Sequence, residues 1–396
     1  MAKRHIVYKK GQPYYMEIYV VKSGDNVDDI ALLFGVSAES VIYDNQLVYP
    51  YRLAVGQALL IDTGGIRENR KNAVIRGFAY PFISRYVLEQ SLQSLSELAV
   101  FSYGFTREGE VIYPPLDDSF MIDAAYDFGV LPVLTLTPFD ESGRFSNELI
   151  SAVINNQQAV EALINNLIQI MLEKRFRGID IDFEYIKAED RETFVTFVAR
   201  VTERMHEYGF TVSVDLAPKT SADQPGLLYE GKDYRALGEI ADSVLVMTYE
   251  WGYTYGPPMA VAPINKVRQV LDYAVTEISP ERINMGVPNY GYDWPLPYER
   301  GVTRAVTIGN IEAVQIAIEN ESEIFFDELS QSPYFHYTKE GVEHEVWFED
   351  ARSMSAKMEL VYEYGLRGIS YWQIMQLFRA NWLLTDYNFL VVKHNE

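Results

Sequence analysis

Three acidic side chains at two-residue spacing, Asp180, Asp182 and Glu184, stand in the run Arg177-Gly178-Ile179-Asp180-Ile181-Asp182-Phe183-Glu184. Alternation along a strand sends all three to one face, while Ile179, Ile181 and Phe183 turn to the other to pack against helices. Carboxylates about 6 to 7 Å apart on one face repel one another, and burial adds to the cost of ionising them. Whichever group can take a proton therefore has its pKa raised. Such a set can be a general acid with its helpers, a magnesium or calcium site built from oxygen ligands, or a row of acids paired with Lys or Arg. The alternation alone leaves all three open.

The elements that must position these acids extend from residue 73 onward, where apolar strand-like runs alternate with helix-period segments in the pattern of repeated βα units. Eight strands are expected, over 74–80, 98–103, 131–136, 178–183, 211–216, 243–249, 283–287 and 368–372. After the fourth, Phe194, Phe197, Val198, Val201 and Met205 align on one helix face before Gly209 stops the helix. Eight such units close as an α/β fold, a (β/α)8 TIM barrel, whose active sites collect at the carboxyl ends of the strands. Glu184 falls at such an end, in aromatic-rich surroundings, which favours an acid catalyst over the other two readings.

Between strands seven and eight an unusually long stretch, about 295–348, predicts a small inserted α+β region that walls a groove. It contains a hairpin with strands in 334–338 and 343–348 and a turn at Glu340-Gly341. Glu349 and Asp350 are expected to cap the last helix, which ends at Gly365.

Composition narrows the partners. A chain of 396 residues with 48% hydrophobic content can bury a barrel-sized core and something small besides. The formal charge of −22 argues against nucleic acid and anionic membrane, both of which would repel it. With no cysteine and no close pair among five histidines, neither a disulfide framework nor a zinc site is expected. Lys3, Arg4 and His5 are not followed by the apolar stretch of a secretory signal, and no run of 18 apolar residues follows later. The expectation is a soluble chain, presumed monomeric, that the general pathway does not export. Neutral polymers remain, and the 29 tyrosines suit stacking on sugar rings.

Ahead of the barrel, residues 18–62 read as strand, helix, helix, strand, between a lead over 1–17 and a short flexible linker over 63–72 that includes Gly64-Gly65. Asp25 and Ser37 are placed to cap the two helices, with Val27, Ile30, Ala31 and Phe34 inward on the first. This βααβ module resembles a LysM domain in Tyr19-Val20-Val21-Lys22-Ser23-Gly24-Asp25, Ile30-Ala31, Asn45 and Val55-Gly56-Gln57. The resemblance implies an anchor to an N-acetylglucosamine polymer, peptidoglycan or chitin. Asp28-Asp29 departs from the more neutral residues usual in its first helix.

The acidic run itself resembles the D-x-x-D-x-D-x-E signature of glycoside hydrolase family 18, which holds chitinases and certain peptidoglycan glucosaminidases. Met247-Thr248-Tyr249, Gly286-Val287-Pro288, Tyr290-Gly291 and Tyr371-Trp372 extend the likeness across roughly residues 73–380, within a catalytic domain spanning 73–396. Arg177 is the departure, standing where the signature has its first Asp. The resemblance implies that Glu184 protonates the leaving oxygen and that Asp182 orients the substrate's own 2-acetamido group, whose oxygen is the nucleophile. It further implies that Asp180 shares a hydrogen bond or proton with Asp182, that Tyr249 holds the acetamido carbonyl, and that Trp372 floors the −1 sugar. The outcome would be retention without a covalent enzyme intermediate, and with no metal or organic cofactor. Glu250, Trp251, Tyr290, Tyr292, Asp293 and Trp294 are candidate groove contacts.

Barrel and module together resemble spore cortex-lytic N-acetylglucosaminidases of endospore-forming bacteria, although those commonly carry two LysM copies and one is identified here. The implied activity is cleavage after N-acetylglucosamine in peptidoglycan glycan strands, bound through the LysM module and the barrel groove. The implied location is the spore coat/cortex boundary, reached from the mother cell. A chitinase and a catalytically silent sugar-binding relative are the alternatives.

Overall fold

The computed structural model describes residues 16–65, 67–139 and 144–394. The lead expected over 1–17 therefore lies outside the described residues as far as residue 15.

In the N-terminal module, strand Met16–Val20 pairs antiparallel with Ala58–Asp62, and helices Val27–Phe34 and Ala38–Asp44 pack on them. Val21, Val27, Ile30, Ala31, Val41, Leu47, Leu59 and Ile61 form their own small core. Ser37 caps the second helix as expected, but Asn26, not Asp25, caps the first, its side chain accepting from the Asp29 amide. Asp25 is taken up one residue earlier: it accepts the Tyr19 hydroxyl at 2.7 Å and the Lys22 amide at 2.8 Å, tying the strand end to the loop.

The module is bonded to the rest of the chain. The Ile324 amide donates to the Val55 carbonyl at 2.8 Å, and a Cβ on Gly56 would lie 1.8 Å from the Ile324 oxygen, so only glycine permits this approach. The Arg379 amide donates to Gln46 at 2.6 Å, while its guanidinium stacks 3.7 Å from the Tyr43 ring centre. Leu60 belongs to the barrel's own core. The connecting segment is pinned, contrary to a flexible linker: Arg67 pairs with Glu359, donates to Asn388 at 2.7 Å and lies 3.9 Å over Tyr362. A planar guanidinium can make all three contacts at once, which glycine content alone does not reveal.

Eight parallel strands close the barrel: Lys71–Ala79, Glu97–Phe105, Leu131–Leu136, Gly178–Ile181, Thr211–Leu216, Ser243–Val246, Ile283–Pro288 and Gly368–Trp372, the first pairing with both the second and the eighth. Strands four and six stop short of their expected ends: the ladder between four and five runs out at Ile181 opposite Val214, and the pairings of six with five and seven both end at Val246. Residues beyond bend toward the barrel mouth. Helices cover the outside; Phe183 stacks on Phe197 of helix Arg191–His206 at 5.7 Å, on the apolar face that the sequence presents.

The insertion begins at Gly291 and is larger than a hairpin. Five antiparallel strands, ordered 306–308, 291–295, 342–347, 332–339 and 325–327, carry the helix Asn310–Glu319. The hairpin turn has Glu340 and Gly341 at φ +53° and +81°, as a primed turn requires. Asp350 caps helix Ala351–Glu363, accepting from the Arg352 and Ser353 amides. Glu349 does not share that role: its carboxylate pairs with Lys357 at 2.8 Å, both side chains fully buried.

Candidate active site

Strand four places Asp180 at full burial and Asp182 nearly so, with Glu184 half-buried at the mouth. Asp180 is engaged from behind. Its Oδ1 accepts from Arg76 Nη1 at 2.7 Å and from the Ser213 hydroxyl, while Arg76 Nε donates to Glu97 at 2.7 Å and Arg367 donates to Glu97 at 2.8 Å. Burial would raise the Glu97 carboxyl, but Arg76 and Arg367 bring it down to about 2. Burial would likewise lower Arg76, and Glu97, Asp180 and Asp215 more than reverse this. Asp180 Oδ2 and Asp182 Oδ1 are both buried and accept from no donor, so the Arg76 ion pair on Oδ1 leaves the other oxygen of Asp180 unengaged.

Toward the mouth, burial pushes the Asp182 carboxyl well above the usual carboxylate range, with Glu184 and Asp180 adding to it and Lys232 opposing. Burial also raises Glu184, opposed by Lys232 and assisted by Glu250. A fourth acid, Asp215, is buried in the same cleft and raised by burial and by Asp180 and Asp182. Lys232 supplies the counter-charge. Fully buried, it donates to the Asp215 backbone carbonyl at 2.9 Å and is lowered to about 8 by burial, against the pull of Asp182, Asp215 and Glu184.

Strand-five alternation could have found Ser213 and Asp215, since both face inward with the acids of strand four. Arg76 is also legible in principle, as a lone cation inside the apolar first strand. Lys232 comes from the loop after strand five, where no periodicity marks it.

Tyr249, Glu250, Trp251, Tyr292 and Trp372 line the cleft together with Asp182 and Glu184; Tyr185, Tyr229 and Tyr253, not singled out from sequence, line it as well. Tyr249 packs against Gly286, where a Cβ would come within 2.6 Å of its ring, so a glycine within strand seven makes room for the tyrosine after strand six. Trp372 stands on an aromatic bed of Phe101, Phe78 and Tyr80, with ring centres 4.8, 5.7 and 6.2 Å away. Its peptide bond to Gln373 is cis.

Tyr290 is not on the cleft wall. Buried at 3% exposure, it donates its hydroxyl to Glu250, which also accepts from Tyr292 at 3.0 Å. Asp293 turns into the insertion, accepting from Tyr337 at 2.6 Å and meeting His344 at 2.8 Å, while Trp294 is buried behind Tyr292 and donates to the Gly256 carbonyl at 2.8 Å in the loop after strand six. Strand Gly291–Pro295 is paired on both sides, so its alternate residues are consumed by the inserted sheet. Arg177 is exposed at the start of strand four, the end remote from the mouth. Among the described residues no group of three or more His, Asp or Glu is arranged to hold a metal ion.

The arrangement is a raised carboxylic acid at the rim, a second acid and a tyrosine beside it, and an apolar floor, which together can protonate a leaving group and shelter a developing cation. Residues 142–376 match the family described as Glycosyl hydrolases family 18, and residues 19–62 match LysM domain. The cortical fragment-lytic enzyme of Bacillus subtilis (strain 168) is 39% identical over 96% of this chain and 99% of its own length. The crystal structure of the Bacillus megaterium QM B1551 spore cortex-lytic enzyme SleL superposes with a TM-score of 0.91 at 34% identity, covering 96% of this chain and 99% of that one. The Bacillus cereus spore cortex-lytic enzyme SleL gives 0.91 at 32%, covering 96% and 100%.

Proposed function

Because the chain belongs to glycosyl hydrolases family 18 and carries a LysM domain, we propose that it hydrolyses β-1,4 bonds after N-acetylglucosamine in spore-cortex peptidoglycan, with retention of configuration. The supporting observation is Glu184: an acid raised by burial, standing in an aromatic-lined cleft beside a second raised acid, Asp182. Raising a carboxyl favours its protonated form, which a general acid requires.

In this reading Glu184 gives its proton to the glycosidic oxygen as the C1–O bond breaks. The acetamido oxygen of the −1 sugar then closes on C1 from the opposite face, and the positive charge so formed is shared with the acetamido nitrogen. Asp182 accepts the acetamido N–H and stabilises that charge, Tyr249 holds the carbonyl end, and Trp372 supports the sugar's apolar face. Water, deprotonated by Glu184, opens the ring from the side the leaving group vacated, so two inversions give retention. Asp180 is held behind Asp182 by Arg76 and Ser213. Trp251, Tyr292 and Glu250 form the neighbouring wall, with Tyr290 holding Glu250.

The glycan strand is the partner, engaged by the cleft and by the LysM module. Association with the spore cortex follows from the same reading, and synthesis in the mother cell would deliver the enzyme to the coat/cortex boundary. Substrate-assisted chemistry restricts the −1 sugar to one that keeps its N-acetyl group, which muramic lactam has lost. Digestion of cortex fragments should therefore yield muropeptides ending in reducing N-acetylglucosamine by mass spectrometry. Products ending in reducing muramic acid would refute the assignment, and turnover of chitin oligomers in preference to cortex would redirect it to a chitinase.

A further inference from the structure

A polymer cut at one bond leaves the −1 sugar in two directions, and the tyrosines of the cleft mark one of them. Around the barrel mouth the strands follow in order from one to eight, so strand four with its acids and strand eight with Trp372 stand across from each other. Tyr229 and Tyr253 come from the loops after strands five and six, on one side of that line. The other side belongs to the loops after strands one, two and three.

Two phenylalanines stand exposed there, Phe82 in the loop after strand one at 64% and Phe145 in the loop after strand three at 37%. Each rests on an inner ring that leads back to the floor of the site. Phe82 stacks on Tyr80 at 5.2 Å and 25°, and Tyr80 meets Trp372 at 6.2 Å and Phe101 at 5.1 Å. Phe145 packs on Phe139 at 4.4 Å, and Phe139 meets the same Phe101 at 6.3 Å. Single apolar side chains scattered over a surface are ordinary, but two that are joined ring by ring to one floor make a continuous apolar track. The turn that carries Phe82 is fixed. The Ile83 amide donates to the Tyr80 carbonyl at 3.0 Å, the Tyr80 amide meets the Met375 sulfur at 3.3 Å, and Pro81 and Ile83 on either side of Phe82 are buried. Phe82 is thus held outward with one ring face against Tyr80, and its exposed surface is available to a partner. The electron-rich face of such a ring attracts the C–H bonds on the apolar face of a sugar.

We propose that the substrate groove continues past Trp372 over Tyr80 to Phe82, with Phe145 on its strand-three side, and that this arm binds pyranose rings of the glycan strand beyond the −1 sugar. The inference rests on the hydrolase reading above and makes strand length a determinant of turnover. In the full-length protein, Phe82→Ala should lower kcat/KM for long cortex glycan fragments about 2- to 10-fold, through KM, and should spare the shortest fragment that the parent cleaves. Phe82→Trp, which puts back a stacking face, should restore the preference for length. A loss equal at every length, or no loss at any, would overturn the inference. Should the alanine variant not fold, Phe145→Ala decides by the same two outcomes. The two levels stay separate: a parent that cleaves no fragment of any length, or a Glu184→Gln variant that retains full turnover, ends the hydrolase reading and this inference with it. A flat length profile in Phe82→Ala beside normal parental turnover ends this inference alone.

Discussion

At the scale of single residues, the site contains acids that burial raises, Glu184, Asp182 and Asp215, and one, Glu97, that its arginines lower. Glu184→Gln preserves shape and hydrogen bonding but removes the transferable proton, and should lower turnover about 100- to 10,000-fold with polymer binding unchanged in a pull-down on cortex. Glu97 is the opposite case. Its folded pKa of about 2 lies below the unfolded value, so the unfolded chain binds more protons in acid. The stabilisation from Glu97 is complete above the ordinary carboxylate range and drains away as pH falls toward about 2. Glu97→Gln should cost about 3 to 5 kcal/mol in urea unfolding at pH 7, because Arg76 loses one of its two buried carboxylate partners, and the gap to the parent should narrow in acid. The triad Asp180, Asp182 and Glu184 was legible because strand alternation is local. Arg76, which decides what Asp180 can do, lies 104 positions away in sequence and meets it only when the barrel closes.

At the scale of elements, glycines mark where two segments approach too closely for a side chain. Gly286→Ala would set a Cβ 2.6 Å from the Tyr249 ring and 2.9 Å from the Val246 carbonyl oxygen, and should lower both kcat and the thermal midpoint. Gly56 carries more, since it has φ +83° and abuts the Ile324 carbonyl. Gly56→Ala should cost at least about 1 to 2 kcal/mol for the left-handed backbone alone, and limited proteolysis should then cut between module and barrel. The inserted region was expected from length and a hairpin signal, yet its true start at Gly291 and its five strands were not. Strand Gly291–Pro295 reads as a continuation of the loop after strand seven, and only its pairing with 306–308 and 342–347 makes it part of a sheet.

For the whole molecule, the LysM module and the barrel act as one body. Leu60 sits in the barrel core, and Arg67, Arg352 and Arg379 reach across the boundary. Deleting residues 16–62 should therefore lower the thermal midpoint of the remaining barrel in calorimetry as well as weaken its retention on cortex. An unchanged midpoint would mean that the module is only tethered. The charge of −22 opposes polyanionic partners at long range, but it does not decide which glycan polymer is bound.

By itself the sequence determined the properties with a short range: which residues alternate along strand four, which helix faces are apolar, that eight βα units follow a βααβ module, and that Tyr249 and Trp372 stand at strand ends. Those depend on periods of two and 3.6 residues, which any stretch of chain carries within itself. Tertiary structure alone decided the long-range matters. It gave Asp180 to Arg76, brought Asp215 into the cleft of Asp182 and Glu184 with Lys232 bonded to its backbone carbonyl, withdrew Tyr290, Asp293 and Trp294 from the cleft wall, and joined Arg67 to Glu359 and Asn388. Charge pairing and burial depend on distance in space, and closing a barrel brings together residues that no sequence period relates.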